Sequence, residues 1–257
     1  MSGGAHWDGT SYDRISTLQQ GWGAEVLDRL QLDGALLALD AGCGTGRVTE
    51  MLLERMGPQG QVLAVDASPS MVEQARRLTA PDSRYAGRVE VVLCDLLELE
   101  IEEPVDAIVS TATFHWVTDH DSLFARMRAA LRRGGHMAAQ CGGEGNVVKL
   151  RGRAGKVMER SPYAERFADF RPPWNYAGPA ETEQRLLAAG FSRARCWLTP
   201  APSEPAEPRE YLRTIVLGPH VQHLPAQLRE PFMDEVMQEL GEPVTIDYVR
   251  LNIDAWA

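Results

Sequence analysis

LLALDAGCGTGRVTEMLLERMGPQGQVLAVDAS (Leu36 to Ser68) joins a short apolar run to a loop of alternate glycines, a helical pattern and a second apolar run that ends in an acid. The first run, Ala35 to Ala41, reads as a strand, and Gln61 to Val65 as the next one. Between them Val48, Met51, Leu52 and Met56 recur at helical spacing, so one face of that helix packs on the sheet. Gly42, Gly44 and Gly46 thus follow a strand and open a helix, and Asp66 lies 24 residues beyond Gly42. Open α/β sheets bind ligands at this place, outside the carboxyl ends of their strands. Glycine lets the backbone come close to a ligand, and Asp66 can accept from both hydroxyls of a ribose. The bland alternative is a tight strand-to-helix turn with a solvated Asp66.

Outward from this unit the same rhythm continues. Met71, Ala75 and Leu78 mark a helix after Pro69, and Val89 to Leu93, Ala107 to Ser110 and Met137 to Gln140 read as further strands. Leu123, Phe124, Met127, Ala130 and Leu131 predict a helix ended by Gly134 and Gly135. The rhythm breaks at CGGEGN (Cys141 to Asn146), opening a first insertion at about 145–178, a candidate lid before the helix Glu181 to Ala189. A second insertion, about 200–242, holds two helices, the later one carrying Met233, Val236, Met237 and Leu240. It interrupts a hairpin of Arg193 to Thr199 with Thr245 to Ala255. In the latter Val249, Leu251 and Ile253 alternate with polar Arg250 and Asn252, as in an outer strand.

A chain of 257 residues can bury a large core, and its formal charge of −10 argues against nucleic acid as a partner. Cys43, Cys94, Cys141 and Cys196 are widely spaced and form no CxxC pair, so they read as free thiols of a reducing compartment. The start has no basic and apolar leader pattern, and no apolar run is long enough to span a membrane. The expectation is a cytoplasmic protein without a membrane partner; its oligomeric state is left open.

Which cofactor the loop serves turns on two residues. A dinucleotide fingerprint would place a third glycine where Arg47 stands, and pyrophosphate would be repelled by Asp40 at the loop's mouth. S-adenosylmethionine carries an ammonium and a sulfonium but no phosphate, so a nearby carboxylate favours it. LDAGCGTG, VDAS, CDLLEL and VDAIVSTATFHWV resemble the successive cofactor motifs of the class I methyltransferases, over roughly Trp7 to Ala257. The run from STATFHW through LRRGGHMAAQCGGEGN is most similar to the small-molecule branch that includes trans-aconitate methyltransferases. The resemblance implies a Rossmann-like α/β fold: a seven-stranded, mostly parallel sheet with an antiparallel last strand and helical insertions. It also implies one domain, 1–257, with an N-terminal cover at 1–30.

By the same resemblance Asp40, Gly42 and Gly44 lie near the methionine end, Asp66 holds the ribose, and Ala67 and Met71 flank adenine. Cys94, Asp95 and Leu96 cover its other side; Asp95 can accept from the exocyclic amine or can simply cap a helix. Ser110 and Thr111 fall where the family places the reacting methyl group, and His115 is either a general base or a residue that shapes the substrate pocket. Tyr12 and Gln20, with Trp7 and Trp22, form a cover over the cofactor or else pack on the sheet edge. His220 and His223 lack a third ligand, so no metal is expected.

Lys149, Arg151, Arg153, Lys156 and Arg160 crowd five cations into twelve residues and can recruit an anionic substrate. At helical spacing, however, Val147, Leu150, Ala154 and Val157 form the apolar face, which leaves a solvated basic face as the alternative. The expected activity is methyl transfer to a small molecule, with a carboxylic acid as one acceptor. The rivals are a non-catalytic cofactor-binding module that holds a partner, and a nicotinamide-dependent oxidoreductase.

Overall fold

The computed structural model describes residues 17–257, with side chains from residue 21 onward. Trp7 and Tyr12 lie outside the described residues, as does the side chain of Gln20. The strands are β1 (Leu37–Ala41), β2 (Gln61–Asp66), β3 (Val89–Leu93), β4 (Val105–Thr111), β5 (Leu131–Gly142), β6 (Arg193–Pro200) and β7 (Val249–Trp256). They form a seven-stranded sheet in the order β3-β2-β1-β4-β5-β7-β6. β1 to β5 pair in parallel, and β7 runs antiparallel to both of its neighbours.

Parallel strands are covered on both faces, which is why their runs are apolar throughout. The helices are α1 (Thr17–Arg29), α2 (Arg47–Arg55), α3 (Pro69–Ala75), α4 (His120–Ala130), α5 (Val148–Met158), α6 (Ala164–Phe167), α7 (Pro179–Ala188), α8 (Pro208–Tyr211), α9 (Gly218–His223) and α10 (Ala226–Leu240). On one face Val26 and Leu27 of α1 and Leu52 and Leu53 of α2 pack with Ala38, Val62 and Val109. On the other, Leu123, Phe124 and Met127 of α4 and Leu186 of α7 pack with Leu39, Ile108 and Ile253.

The two insertions share one apolar core. Leu150, Ala154 and Val157 of α5, the face that helical spacing predicts, cluster with Phe167 of α6 and with Phe232, Met233 and Val236 of α10. Tyr211, Leu212, Ile246 and Tyr248 complete that cluster. The result is a single helical cap.

Two local expectations are corrected. α4 ends at Ala130, not at Gly134 and Gly135, because Leu131 is already extended. The glycines instead serve an irregular stretch of β5, where Val105 pairs with Leu131 but Ala107 pairs with His136. The strand expected from Thr245 begins at Val249, and it is an interior strand between β5 and β6. Arg250, Asn252 and Asp254 are therefore buried, and their alternation marks an enclosed polar face, bonded to neighbours on β5, β6 and α1.

The loop after β1 depends on Gly42, whose φ is 83° and whose added β-carbon would fall 2.2 Å from Thr113 Oγ1. Gly44 has φ 55°, and a β-carbon there meets nothing within 4 Å. Gly42→Ala is expected to cost about 3 kcal/mol or more, combining left-handed strain with overpacking. Gly44→Ala should cost only about 1 to 2 kcal/mol. Urea denaturation of the unliganded protein checks this, and equal losses would contradict the packing argument.

Candidate active site

The carboxyl ends of β1, β2, β3 and β4 open into a cavity of about 660 Å³. Its near wall comprises Gly42 and Gly44, Asp66, Ala67 and Met71 around the end of β2, and Asp95 and Leu96 after β3. The sequence reading thus brings seven of its residues to one surface.

Asp66 does more than face the cavity. Its Oδ2 accepts from the Gly44 N–H at 2.9 Å and its Oδ1 from the Ser68 N–H at 2.8 Å, so it ties the glycine loop to the turn after β2. Burial raises its pKa, and those backbone donors oppose the rise. Each oxygen keeps a further lone pair for a ligand. Asp95 uses Oδ1 to accept from the Leu97 N–H at 3.0 Å, so the capping role is present while the residue also lines the cavity.

Asp40 and Ser110 are placed differently. Ser110 is buried and donates to the Ala41 carbonyl at 2.6 Å, pinning β4 to β1 beneath the wall; Thr111, Ala112 and Thr113 supply the surface instead. Asp40 lies at the end of β1, fully buried and behind the wall. Its Oδ2 accepts from Thr49 Oγ1 at 2.6 Å, while Oδ1 has no partner among the described residues. Burial, with a smaller contribution from Asp66 and an opposing one from Thr49, pushes the carboxyl up to about 7.

The far wall joins β4, the cap and β7 through His115, Trp116, Val147, Tyr176, Tyr248 and Arg250. The Gly142 N–H points at His115 Nδ1 from 3.3 Å. A nitrogen that accepts cannot also carry the proton, so the neutral ring holds it on Nε2 and offers a donor. Burial, then Arg250 and His120, keep His115 well below its ordinary pKa of 6.5. An Nδ1 that already accepts and a ring kept neutral by its burial both oppose a general base.

Arg250 is 4% exposed. Its Nε donates to Gln140 Oε1 at 3.3 Å, and its guanidinium lies 4.5 Å from the Trp22 ring centroid. Sequence reasoning missed Tyr176, Tyr248 and Arg250 because they reach the site only through the cap and the reversed strand. A backbone signal does mark this wall: Ala112 (φ 54°) and Val147 (φ 49°) hold left-handed conformations, and both line the cavity.

The basic cluster of α5 mostly faces α10. Lys156 and Arg160 pair with Glu239, Arg160 also with Glu235, and Arg153 donates to the Glu239 carbonyl. His220 and His223 sit in the cap beside Phe167 and Phe170, with His223 Nε2 2.7 Å from the Arg166 carbonyl.

Comparison with known proteins bears on this geometry. Residues 38–135 match a methyltransferase domain family. The trans-aconitate 2-methyltransferase of Methylobacterium nodulans is 30% identical over 197 residues, covering 77% of this chain and 69% of that protein. The malonyl-[acyl-carrier protein] O-methyltransferase of Acetivibrio thermocellus is 30% identical over 169 residues, covering 63% of this chain and 58% of that one. Among solved structures, phosphoethanolamine N-methyltransferase 2 of Haemonchus contortus, in complex with phosphomonomethylethanolamine and S-adenosylhomocysteine, has a TM-score of 0.61 at 17% identity. That match covers 96% of this chain and 56% of the nematode protein, a likeness of fold. The glycine loop with its ribose-type acid, the sheet order and these relatives agree: the chain belongs to the class I S-adenosylmethionine-dependent methyltransferases and resembles the trans-aconitate methyltransferases among them.

Proposed function

We propose that this methyltransferase acts on a small organic acid and methylates a carboxylate oxygen. One observation carries the reading: the wall facing the cofactor loop presents a buried cation, Arg250, beside a histidine fixed as a donor, and no base among the described residues. An ionised carboxylate needs none, since it has already lost its proton. Arg250 and His115 would hold one carboxylate and leave an oxygen toward the donor. The names of the relatives support an acid acceptor, because aconitate and malonyl groups both carry carboxylates.

The near wall suits S-adenosylmethionine. Asp66 offers lone pairs to the ribose hydroxyls, the bare Cα of Gly44 leaves room for close approach, and the unpartnered Oδ1 of Asp40 supplies negative potential for a cation. Met71 and Leu96 would pack on adenine while Asp95 accepts from its amine. When bound, S-adenosylmethionine supplies a sulfonium methyl group: the C–S bond breaks as the O–C bond forms, sulfur keeps the electron pair, and no proton needs to move. Tyr176, Tyr248 and the rest of the cap would align the acceptor and exclude water. We place this activity in the cytoplasm, with Cys43, Cys94, Cys141 and Cys196 all free thiols. No described helix is long and apolar enough to cross a membrane.

With labelled methyl donor and a panel of small carboxylic acids, the product should be a methyl ester. With S-adenosylmethionine saturating at every pH, so that the ionisation of Asp40 does not enter, kcat/KM for the acceptor should be flat from about pH 6 to 9, because His115 stays neutral and the acid stays ionised. A rate that climbs through neutrality, or a labelled amine or phenol ether, would overturn the assignment.

Asp40 should reveal itself by opposite effects on stability and affinity. Its folded pKa of about 7 exceeds the ordinary 3.8, so between these values the folded protein keeps a proton that the unfolded chain has released. Stability due to this group therefore falls as pH rises from about 4 to about 7. At pH 8, Asp40→Asn should stabilise the unliganded protein by on the order of 2 kcal/mol yet weaken S-adenosylmethionine about tenfold. Melting curves and calorimetry check both, and a variant that loses stability without losing affinity would remove Asp40 from the site.

A further inference from the structure

Among the described residues, Arg250 is the only Lys or Arg side chain that lines the main cavity, and the surface that begins beside it is apolar. The Trp22 ring lies with its centroid 4.5 Å from the Arg250 guanidinium and meets the Tyr248 ring edge to face at 5.4 Å. The Tyr248 hydroxyl is paired with that of Tyr211 at 3.0 Å, so its polar end is engaged in the cap. Val147, Ile215 and Val216 line the same cavity, and all of these side chains belong to or pack against the core of the cap.

Two backbone features bring that hydrocarbon to the cavity. The chain from Leu212 to Val216 forms a π-helical turn, in which the Leu217 N–H donates to the Leu212 carbonyl at 2.7 Å. In a regular α-helix residues five apart diverge by about 140°. The wider turn returns Leu212 and Leu217 to one side, where both are fully buried, while the partly buried Ile215 and Val216 reach the cavity. The second feature is Val147, a β-branched residue held at φ 49°. Glycine or asparagine would adopt that conformation with less strain, so what valine adds at this position is its hydrocarbon.

We propose that the acceptor is an aliphatic monocarboxylic acid, its carboxylate held at Arg250 and His115 and its hydrocarbon chain laid on Trp22, Val147, Ile215 and Val216. A hydroxyl or a second carboxylate placed against these side chains would lose water without gaining a partner, whereas each methylene gains by its burial. The π-helical turn is then the element that sets acceptor specificity. This rests on the carboxylate reading of the acceptor.

The test uses the full chain, saturated with S-adenosylmethionine, and the straight-chain acids from ethanoic to octanoic, with each methyl ester quantified by mass spectrometry. Binding of the same acids to the S-adenosylhomocysteine complex is followed by calorimetry. Kd should fall about threefold to fourfold for each added methylene until the wall is covered, and kcat/KM should rise in step. Replacing Ile215 and Val216 together by alanine should weaken the best-bound acid about tenfold and S-adenosylhomocysteine less than about twofold. Val216→Thr, nearly the same in shape, should weaken that acid about threefold through polarity alone, and it keeps the test open should the double variant not fold. Leu187→Ser, at an exposed position of α7 that does not line the cavity, should change nothing. Esters formed equally well across the series, or hexanedioic acid bound as tightly as hexanoic acid, would overturn the hydrocarbon wall while leaving carboxylate methylation intact. If the native protein neither binds nor methylates any of these acids, the carboxylate reading fails and the hydrocarbon wall with it.

Discussion

Thr113 fills the space that any side chain at residue 42 would need, and its Oγ1 stands within hydrogen-bond reach of the Gly42 carbonyl at 3.2 Å and the Thr111 carbonyl at 3.0 Å, its one proton shared between them. That contact locks together the loops that leave β1 and β4, the strands between which the order of the sheet reverses. Asp66 then fastens the β1 loop to the turn after β2, and Ser110 fastens β4 to β1 from below. The near wall is in this way a surface built largely from backbone, held by Asp66 and Thr113 at the cavity and by the buried Ser110 beneath it. Ligand contacts made by such a surface require little ordering on binding.

Around the same cavity the fold tolerates arrangements that cost free energy. Asp40 is a carboxylate enclosed in the core with one oxygen unpartnered, and a lost hydrogen bond of this kind costs about 1 to 3 kcal/mol. Val147 is β-branched and left-handed. Arg250 is a charge enclosed between Gln140 and Trp22. Asp66 and Asp95 line one side of the cavity and Arg250 the other, so the cavity is electrically polarised between its two walls. The destabilisation is local to the surface that uses it.

The central unit was legible because its signals are short-ranged: strand, glycine loop, helix and acid follow each other within a few turns of chain, and each is set by its own residues. The apolar stripe of α5 was legible for the same reason. The β7 alternation misled because a period of two separates two faces without saying what covers them; Arg250 and Asn252 gave the pattern of a wet face and occupy a closed one. Gly134 and Gly135 look like a helix stop in sequence, yet the chain had already turned at Leu131 to meet Val105. His115 was found by position, but its tautomer depends on the Gly142 N–H, a donor from a different strand. The far wall was not legible at all, since Tyr176, Tyr248 and Arg250 meet only after two insertions far apart in the chain have packed on each other.

The separate core of the cap has an evolutionary consequence. Phe232, Met233 and Val236 support the far wall without belonging to the clusters that hold the sheet and its glycine loop. Substitutions that reshape the far wall draw on the stability of the cap, while the glycine loop and the sheet rest on a different set of contacts. On the proposed placement of the acceptor, lineages can exchange one acceptor for another by drift within the cap, as long as Asn175, whose N–H donates to the His115 carbonyl, keeps that residue in place. The same separation makes the cap the natural unit to transplant when a new acceptor is wanted on an old sheet.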